Sequence, residues 1–153
     1  MNNNINSIVH IFTDGACKGN PGVGGWGAIL IYQNNRKEIN GYNNDTTNNI
    51  MELTAAVEAL KALKKPCNVI LTTDSIYVKN GITKWIVNWE SKGWKTANKK
   101  NVKNKLLWIE LNNECKKHTI TWEWVKGHSG HPENEKADYL ANKAIEMNIG
   151  EKK

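Results

Sequence analysis

The chain has 153 residues, 39% of them hydrophobic and 24% charged, with a net charge of +6, a pI near 9.2 and a mean hydropathy of −0.61. This is the length of one domain and the composition of an ordinary globular protein, large enough to bury a core without disulfide support. No apolar run approaches the ~20 residues of a membrane span, Met1-Asn2-Asn3-Asn4 lacks the basic and apolar regions of a secretory signal, and Cys17, Cys67 and Cys115 are too scattered for a disulfide framework. A membrane, secreted or disulfide-scaffold protein is therefore not expected. A single cytoplasmic domain spanning residues 1–153, monomeric and without a membrane partner, is expected.

Residues 7–13 (S-I-V-H-I-F-T) form a β-rich run closed by Asp14-Gly15, which predicts a strand ending in a turn. Residues 19–27 are dense in glycine, and 27–33 predict a second strand. A turn at Asn34-Asn35 returns the chain through 36–42, so three strands make an antiparallel meander. Residues 48–64 then change to a period of 3.6, with Ile50, Leu53, Val57, Leu60 and Leu63 on one arc, and Pro66 ends this helix. Residues 68–73 (N-V-I-L-T-T) are nearly continuously apolar, as in a strand buried on both faces of a parallel pairing. Asp74 follows it directly.

The next stretch carries the charge. Residues 84–105 hold seven lysines against one acid, Glu90, whereas the rest of the chain has 14 basic and 14 acidic residues. The whole net charge therefore sits in this segment, interleaved with Trp85, Trp89 and Trp94. Clustered lysines with flat aromatic faces suit a polyanion, by phosphate neutralisation and stacking. The competing reading is a solvated surface whose tryptophans pack into the core. Twenty of the 21 basic residues are lysine, and lysine makes point-charge phosphate contacts, not bidentate base contacts, so backbone binding is favoured over sequence readout.

Short helical pieces cross this segment, and residues 105–116 predict a helix with Leu107, Leu111 and Cys115 on one side. Residues 119–125 make a fifth strand, and Pro132-Glu133 opens a last helix facing inward through Ala137, Leu140, Ala141, Ala144 and Ile145. The order β-β-β-α-β-α-α-β-α predicts an α/β fold: a five-stranded mixed sheet, three strands antiparallel and two parallel, flanked by helices.

Four carboxylates stand where this pattern does not require them. Asp14 and Asp74 each follow a Thr at the end of an apolar strand, where open α/β sheets form their ligand crevice. An Asp there also serves as an Asx turn or a helix cap, but two on strands that could lie side by side suggest more. Glu52 lies in the first turn of its helix, where Asn49-x-x-Glu52 also fits a capping box. Asp138 flanks the inward face of the last helix, with Asn134 one turn earlier, and an unpaired buried carboxylate is costly. Converging carboxylates without a matching cation describe a site for a hard divalent ion such as Mg²⁺. Two such ions can clamp an in-line phosphoryl displacement. His128, between glycines just before that helix, suits a proton shuttle. Cys115, His118, His128 and His131 offer a zinc reading, but the C-x2-H and H-x2-H pairs fall a strand length apart, too far to share one ion.

Five blocks carry a resemblance: I-F-T-D-G-A-C-K-G-N-P-G at 11–22, T-T-N-N-I-M-E-L at 46–53, T-D-S at 73–75, G-W-K-T at 93–96, and W-V-K-G-H-S-G-H-P-E-N-E-K-A-D at 124–138. Together, in this order and over residues 8–144, the chain resembles the bacterial type 1 ribonuclease H family. The resemblance implies the ribonuclease H-like fold and endonucleolytic cleavage of the RNA strand of RNA–DNA hybrids, leaving 5′-phosphate and 3′-hydroxyl ends. It implies Asp14, Glu52, Asp74 and Asp138 as ligands of two Mg²⁺ ions, Mn²⁺ being a possible substitute, with Asp14 bridging both. His128 matches the family's mobile catalytic histidine and Asn134 its neighbouring asparagine. Thr47, Asn48 and Asn49 match residues that grip the nucleic-acid backbone, and Cys17 and Asn20 fall in the loop that tracks the minor groove. Residues 84–105 match the basic handle, with Trp85, Trp94, Lys95, Lys99 and Lys100 as expected DNA-strand contacts. Ile76 stands where relatives commonly have glutamine, and Glu90-Ser91 where they are often doubly basic. A non-catalytic binding module would usually have lost a carboxylate, and a related integrase or resolvase would lack the handle and the G-H-S-G-H-P-E-N block.

Overall fold

The computed structural model describes residues 7–126 and 131–151. Along β1 (Ile8–Gly19) Val9, Ile11 and Thr13 are buried while His10 is exposed, the period-2 alternation of a pleated strand. Strand β2 (Gly22–Tyr32) pairs antiparallel with β1 and with β3 (Asn35–Thr46), and β4 (Asn68–Thr73) pairs parallel with β1 and with β5 (Thr119–Trp124). The spatial order is β3-β2-β1-β4-β5, the predicted five-stranded mixed sheet.

Helix α1 (Asn48–Lys61) and α4 (Lys105–Lys117) cover one face. There Leu53, Val57, Leu60, Trp108 and Leu111 pack with Val9, Ile11, Leu30, Val69 and Leu71 in one buried cluster. Helix α5 (Pro132–Glu151) covers the other face through Ala137, Ala141, Ala144 and Ile145, all buried as the apolar pattern predicts. Between β4 and α4 run α2 (Ile76–Asn80), a π-helical turn at Gly81–Trp85, and α3 (Ile86–Ser91).

Several boundaries differ from expectation: β2 begins at Gly22, not 27, and β3 starts at Asn35 and runs on to Thr46, not 42. Strand β1 does not stop at Asp14-Gly15: its parallel pairing with β4 ends at Phe12↔Thr72, but its antiparallel pairing with β2 continues to Gly19↔Gly22. Apart from the turn at Asn20-Pro21 the glycine-dense stretch is therefore strand, and its glycines are contact points. A Cβ on Gly25 would stand 2.2 Å from the Ala141 carbonyl oxygen, and one on Gly27 2.5 Å from that of Ala137. Their missing side chains let α5 lie directly on the sheet. Helix α1 ends at Lys61, not at 64, where Leu63 N–H bonds the Leu60 carbonyl in a tightened last turn ahead of Pro66.

The aromatic residues of the basic segment pack on one another. Trp85, Trp89 and Trp108 lie 5.5–6.4 Å apart between ring centroids, Tyr77 joins Trp85 and Trp108, and Trp94 sits 6.3 Å from Trp89. Trp108 is wholly buried and donates through Nε1 to the Tyr77 hydroxyl at 3.1 Å. Trp108→Ala would open a large cavity against Gly81, whose Cα side already abuts the indole, and is expected to cost about 3–5 kcal/mol. Urea denaturation checks this; a loss under about 1 kcal/mol would mean the cluster collapses around the gap.

Candidate active site

Asp14 and Asp74 come together because β1 and β4 are parallel neighbours whose pairing ends two residues before each of them. Glu52 reaches the same point from α1. Thr47 caps that helix, its hydroxyl accepting from Ile50 N–H at 3.2 Å, so the Asn49–Glu52 capping box does not form and the Glu52 carboxyl is left for the site. The close approach depends on Gly15. A Cβ there would stand 2.6 Å from the Glu52 nitrogen and 2.7 Å from the Met51 carbonyl carbon, so only glycine admits the first turn of α1 against β1. Ligand oxygens of Asp14, Glu52 and Asp74 all lie within 4.8 Å of one another. Asp138, on α5, acts on Asp14 through its charge, and its Oδ1 accepts from Asn142 Nδ2 at 3.1 Å.

Burial and crowding set the electrostatics. Asp14 is 2% exposed and Glu52 6%. Burial, followed by the charges of Asp74 and Asp138, pushes the Asp14 carboxyl up to about 8, against a small lowering by the Gly15 N–H. Glu52 is raised well above the usual carboxylate range, first by burial and then by Asp14 and Asp74. Glu52 Oε1 is buried with no hydrogen-bond partner among the described residues. Oxygen-only donors, mutual repulsion and an orphaned buried oxygen are what a hard divalent ion satisfies, so these residues fit such an ion.

The sign of the pH dependence follows. Without divalent ions, folded Asp14 holds its proton up to about 8 while the unfolded group releases it near 3.8. Between those values the folded state binds more protons, so stability is full below about 4 and is lost as pH rises through 8. In EDTA the melting temperature should fall from pH 5 to pH 8.5, and Mg²⁺ should restore it by mass action. A flat or rising profile in EDTA would contradict the crowding described here.

The other expected residues divide into three groups. Cys17 Sγ donates to the Thr46 carbonyl at 3.4 Å, and Asn20 Oδ1 accepts from Asn48 N–H at 3.1 Å. These bonds clasp the β1–β2 turn to the start of α1, so Cys17, Asn20, Thr47, Asn48 and Asn49 form one surface. Asn134 is buried, and its Nδ2 has no partner among the described residues. Lys95, Lys99 and Lys100 are exposed, whereas Trp85 and Trp94 are half-buried in the ring cluster. Glu90, the lone acid of the segment, bonds Lys116 at 2.6 Å and Asn112, which ties α3 to α4. His128 lies outside the described residues. His118 Nδ1 accepts from Cys67 N–H at 3.1 Å, a local structural role that uses one of its two ring nitrogens. A cavity of about 610 Å³ opens at the opposite end of the sheet beside Val9, Leu30, Leu63 and Pro66, and none of the candidate residues lines it.

The model of the RNase H family matches residues 6–146, nearly the whole chain and both ends of this site. The chain belongs to the ribonuclease H family. As a ribonuclease H it is a hydrolase of the nuclease class. It is 62% identical over 142 residues to the ribonuclease H of Hydrogenovibrio crunogenus, covering 93% of this chain and 98% of that one. It is equally 62% identical over 139 residues to that of Francisella tularensis subsp. novicida, covering 91% of each. Among solved structures, LC9-RNase H1, described as a type 1 RNase H with the type 2 active-site motif, superposes with a TM-score of 0.82 at 32% identity, over 94% of this chain and 74% of that one. LC11-RNase H1, solved in complex with RNA/DNA hybrid, shares the fold with a TM-score of 0.64 at 23% identity, over 92% of this chain and 99% of that one.

Gly15 and Trp124 were missed as site-forming residues. A glycine inside a strand does signal close backbone approach, and Asp14-Gly15 was instead read as a turn. Trp124 donates through Nε1 to the Asp74 carbonyl at 3.1 Å, across 50 positions of sequence, and no local pattern marks such a contact.

Proposed function

We propose that this ribonuclease H cleaves the RNA strand of RNA–DNA hybrids endonucleolytically, leaving 5′-phosphate and 3′-hydroxyl ends, with two Mg²⁺ ions held by Asp14, Glu52, Asp74 and Asp138. The observation that carries the reading is the cluster of Asp14, Glu52 and Asp74 oxygens within 4.8 Å, with the buried Glu52 Oε1 unpartnered among the described residues. When bound, the ions would supply an activated water and charge stabilisation for an in-line displacement at phosphorus. The chain's own residues provide the frame: Asp14 in a rigid strand between two neighbours, Glu52 on a capped helix, and Asp138 on a helix seated against bare glycines. His128 would handle the proton of the attacking water or of the departing oxygen.

Binding follows from the same surfaces. The clasped Cys17–Asn20 and Thr47–Asn49 regions offer backbone and amide groups to a minor groove, where 2′-hydroxyls distinguish RNA from DNA. Thr47 stands at a helix N-terminus, which favours a phosphate. Lys95, Lys99 and Lys100, exposed on the basic segment, would neutralise DNA phosphates beyond it, giving salt-sensitive binding with little sequence preference.

The test is cleavage of an end-labelled hybrid beside duplex DNA and duplex RNA, with Mg²⁺, Mn²⁺ or EDTA. Internal cuts confined to the RNA of the hybrid and lost in EDTA are expected. Equal cutting of duplex DNA, or tight hybrid binding without any cutting, would overturn the proposal.

A further inference from the structure

We infer that Trp124 is a positioning residue for Asp74, an inference that rests on the metal-dependent reading above. Asp74 lies between β4 and α2, outside the regular hydrogen-bond ladder. Its flanks are tied locally: Ser75 N–H bonds Thr73 Oγ1 at 3.1 Å, and Ser75 Oγ caps α2 by accepting from Val78 N–H at 3.1 Å. The carbonyl of Asp74 itself receives the Trp124 indole N–H at 3.1 Å. Trp124 is well placed to make this bond because it ends β5 opposite Thr73, and the next residue, Val125, donates to the Thr73 carbonyl at 3.0 Å.

The indole does not belong to the core. It is 36% exposed, and it takes no part in the ring cluster around Trp108. Its face is covered instead by Lys79 of α2, whose Nζ lies 4.6 Å from the ring centroid. The ring is thereby held between β5 and α2, with its one polar atom directed at the peptide that carries the Asp74 side chain. Rotation of that peptide would swing the carboxylate away from Asp14 and Glu52, and a displacement of about 1 Å in such a site costs on the order of 100-fold in rate. Fixing the residue that bears a ligand is the work of outer-shell hydrogen bonds, whose loss typically costs about 10–100-fold in metal affinity or activity.

The test is Trp124→Phe, which keeps an aromatic ring beneath Lys79 and removes the N–H together with the second ring of the indole. Calorimetry of the substrate-free protein with Mg²⁺ should show affinity weakened about 10-fold, and kcat on a hybrid should fall by about the same factor. KM for the hybrid should stay within about twofold and the melting temperature within about 2 °C, since no core packing is lost. An unchanged Mg²⁺ affinity with unchanged kcat would overturn the inference. So would a raised KM alone, which would make the indole a face for substrate, or a large loss of melting temperature, which would make it a packing residue. Wild type measured in parallel separates the two readings. If wild type neither binds Mg²⁺ nor cuts hybrid, the proposed function fails and this inference with it; if wild type does both and the variant matches it, this inference fails alone.

Discussion

Asp14→Asn is expected to lower the single-turnover rate of hybrid cleavage by at least about 10³-fold, or about 4 kcal/mol in the barrier, while hybrid binding is retained. The substitution keeps size and hydrogen-bonding capacity but removes the negative charge at the centre of the site. Asp14 is the residue on which the others converge: Glu52 crowds it from α1 and Asp74 from the end of β4, and the charge of Asp138 acts on it from α5. The same change has the opposite effect on the metal-free fold. It removes a buried charge repelled by two other carboxylates, so the melting temperature in EDTA at pH 8 should rise and its fall between pH 5 and pH 8.5 should flatten. A variant that keeps more than a tenth of the wild-type rate would remove Asp14 from the proposed ligand set.

Gly15→Ala is expected to be nearly as damaging, although the residue carries no chemistry. The added methyl would meet backbone on α1, 2.6 Å from the Glu52 nitrogen and 2.7 Å from the Met51 carbonyl carbon, so no side chain can swing aside. The first turn of α1 must move away from β1 and take the Glu52 carboxyl with it. Overpacking of this kind costs about 1–3 kcal/mol of stability, and a shift of about 1 Å at the site costs on the order of 100-fold in kcat. Thermal melts and steady-state cleavage check the two effects separately. A rate within a factor of three of wild type would mean that α1 can retreat without disturbing Glu52.

Much of this was legible along the chain. Ile50, Leu53, Val57 and Leu60 marked a helix because a period of 3.6 in apolar residues has one physical cause, a helix with a single buried face. Asp14 and Asp74 stood out because polar groups at the ends of apolar strands need a reason. The basic segment was visible by counting alone, since net charge needs no structure.

What stayed hidden was set by distance between elements. The pattern places the start of β2 at Gly27 because glycine weakens an isolated strand, and nothing local records that α5 presses its backbone on Gly25 and Gly27. The boundary at Asp14-Gly15 was misplaced for the same reason: two partners of β1 end at different points, and only the longer pairing with β2 carries the strand to Gly19. Trp85 and Trp94 could be read as solvent-facing or packed until Tyr77 and Trp108 were seen beside them.

Residue types and their spacing were enough to indicate the fold class, the inward faces of α1 and α5, the charge of residues 84–105 and the candidate carboxylates, because each depends on local periodicity or simple composition. Tertiary structure alone decided that Asp14, Glu52 and Asp74 share one point, that their carboxyls are raised by burial and mutual charge, and that Gly15 and Trp124 shape that point. These are properties of pairs 22 and more positions apart, and their energies depend on separations that exist only once the sheet and helices have packed.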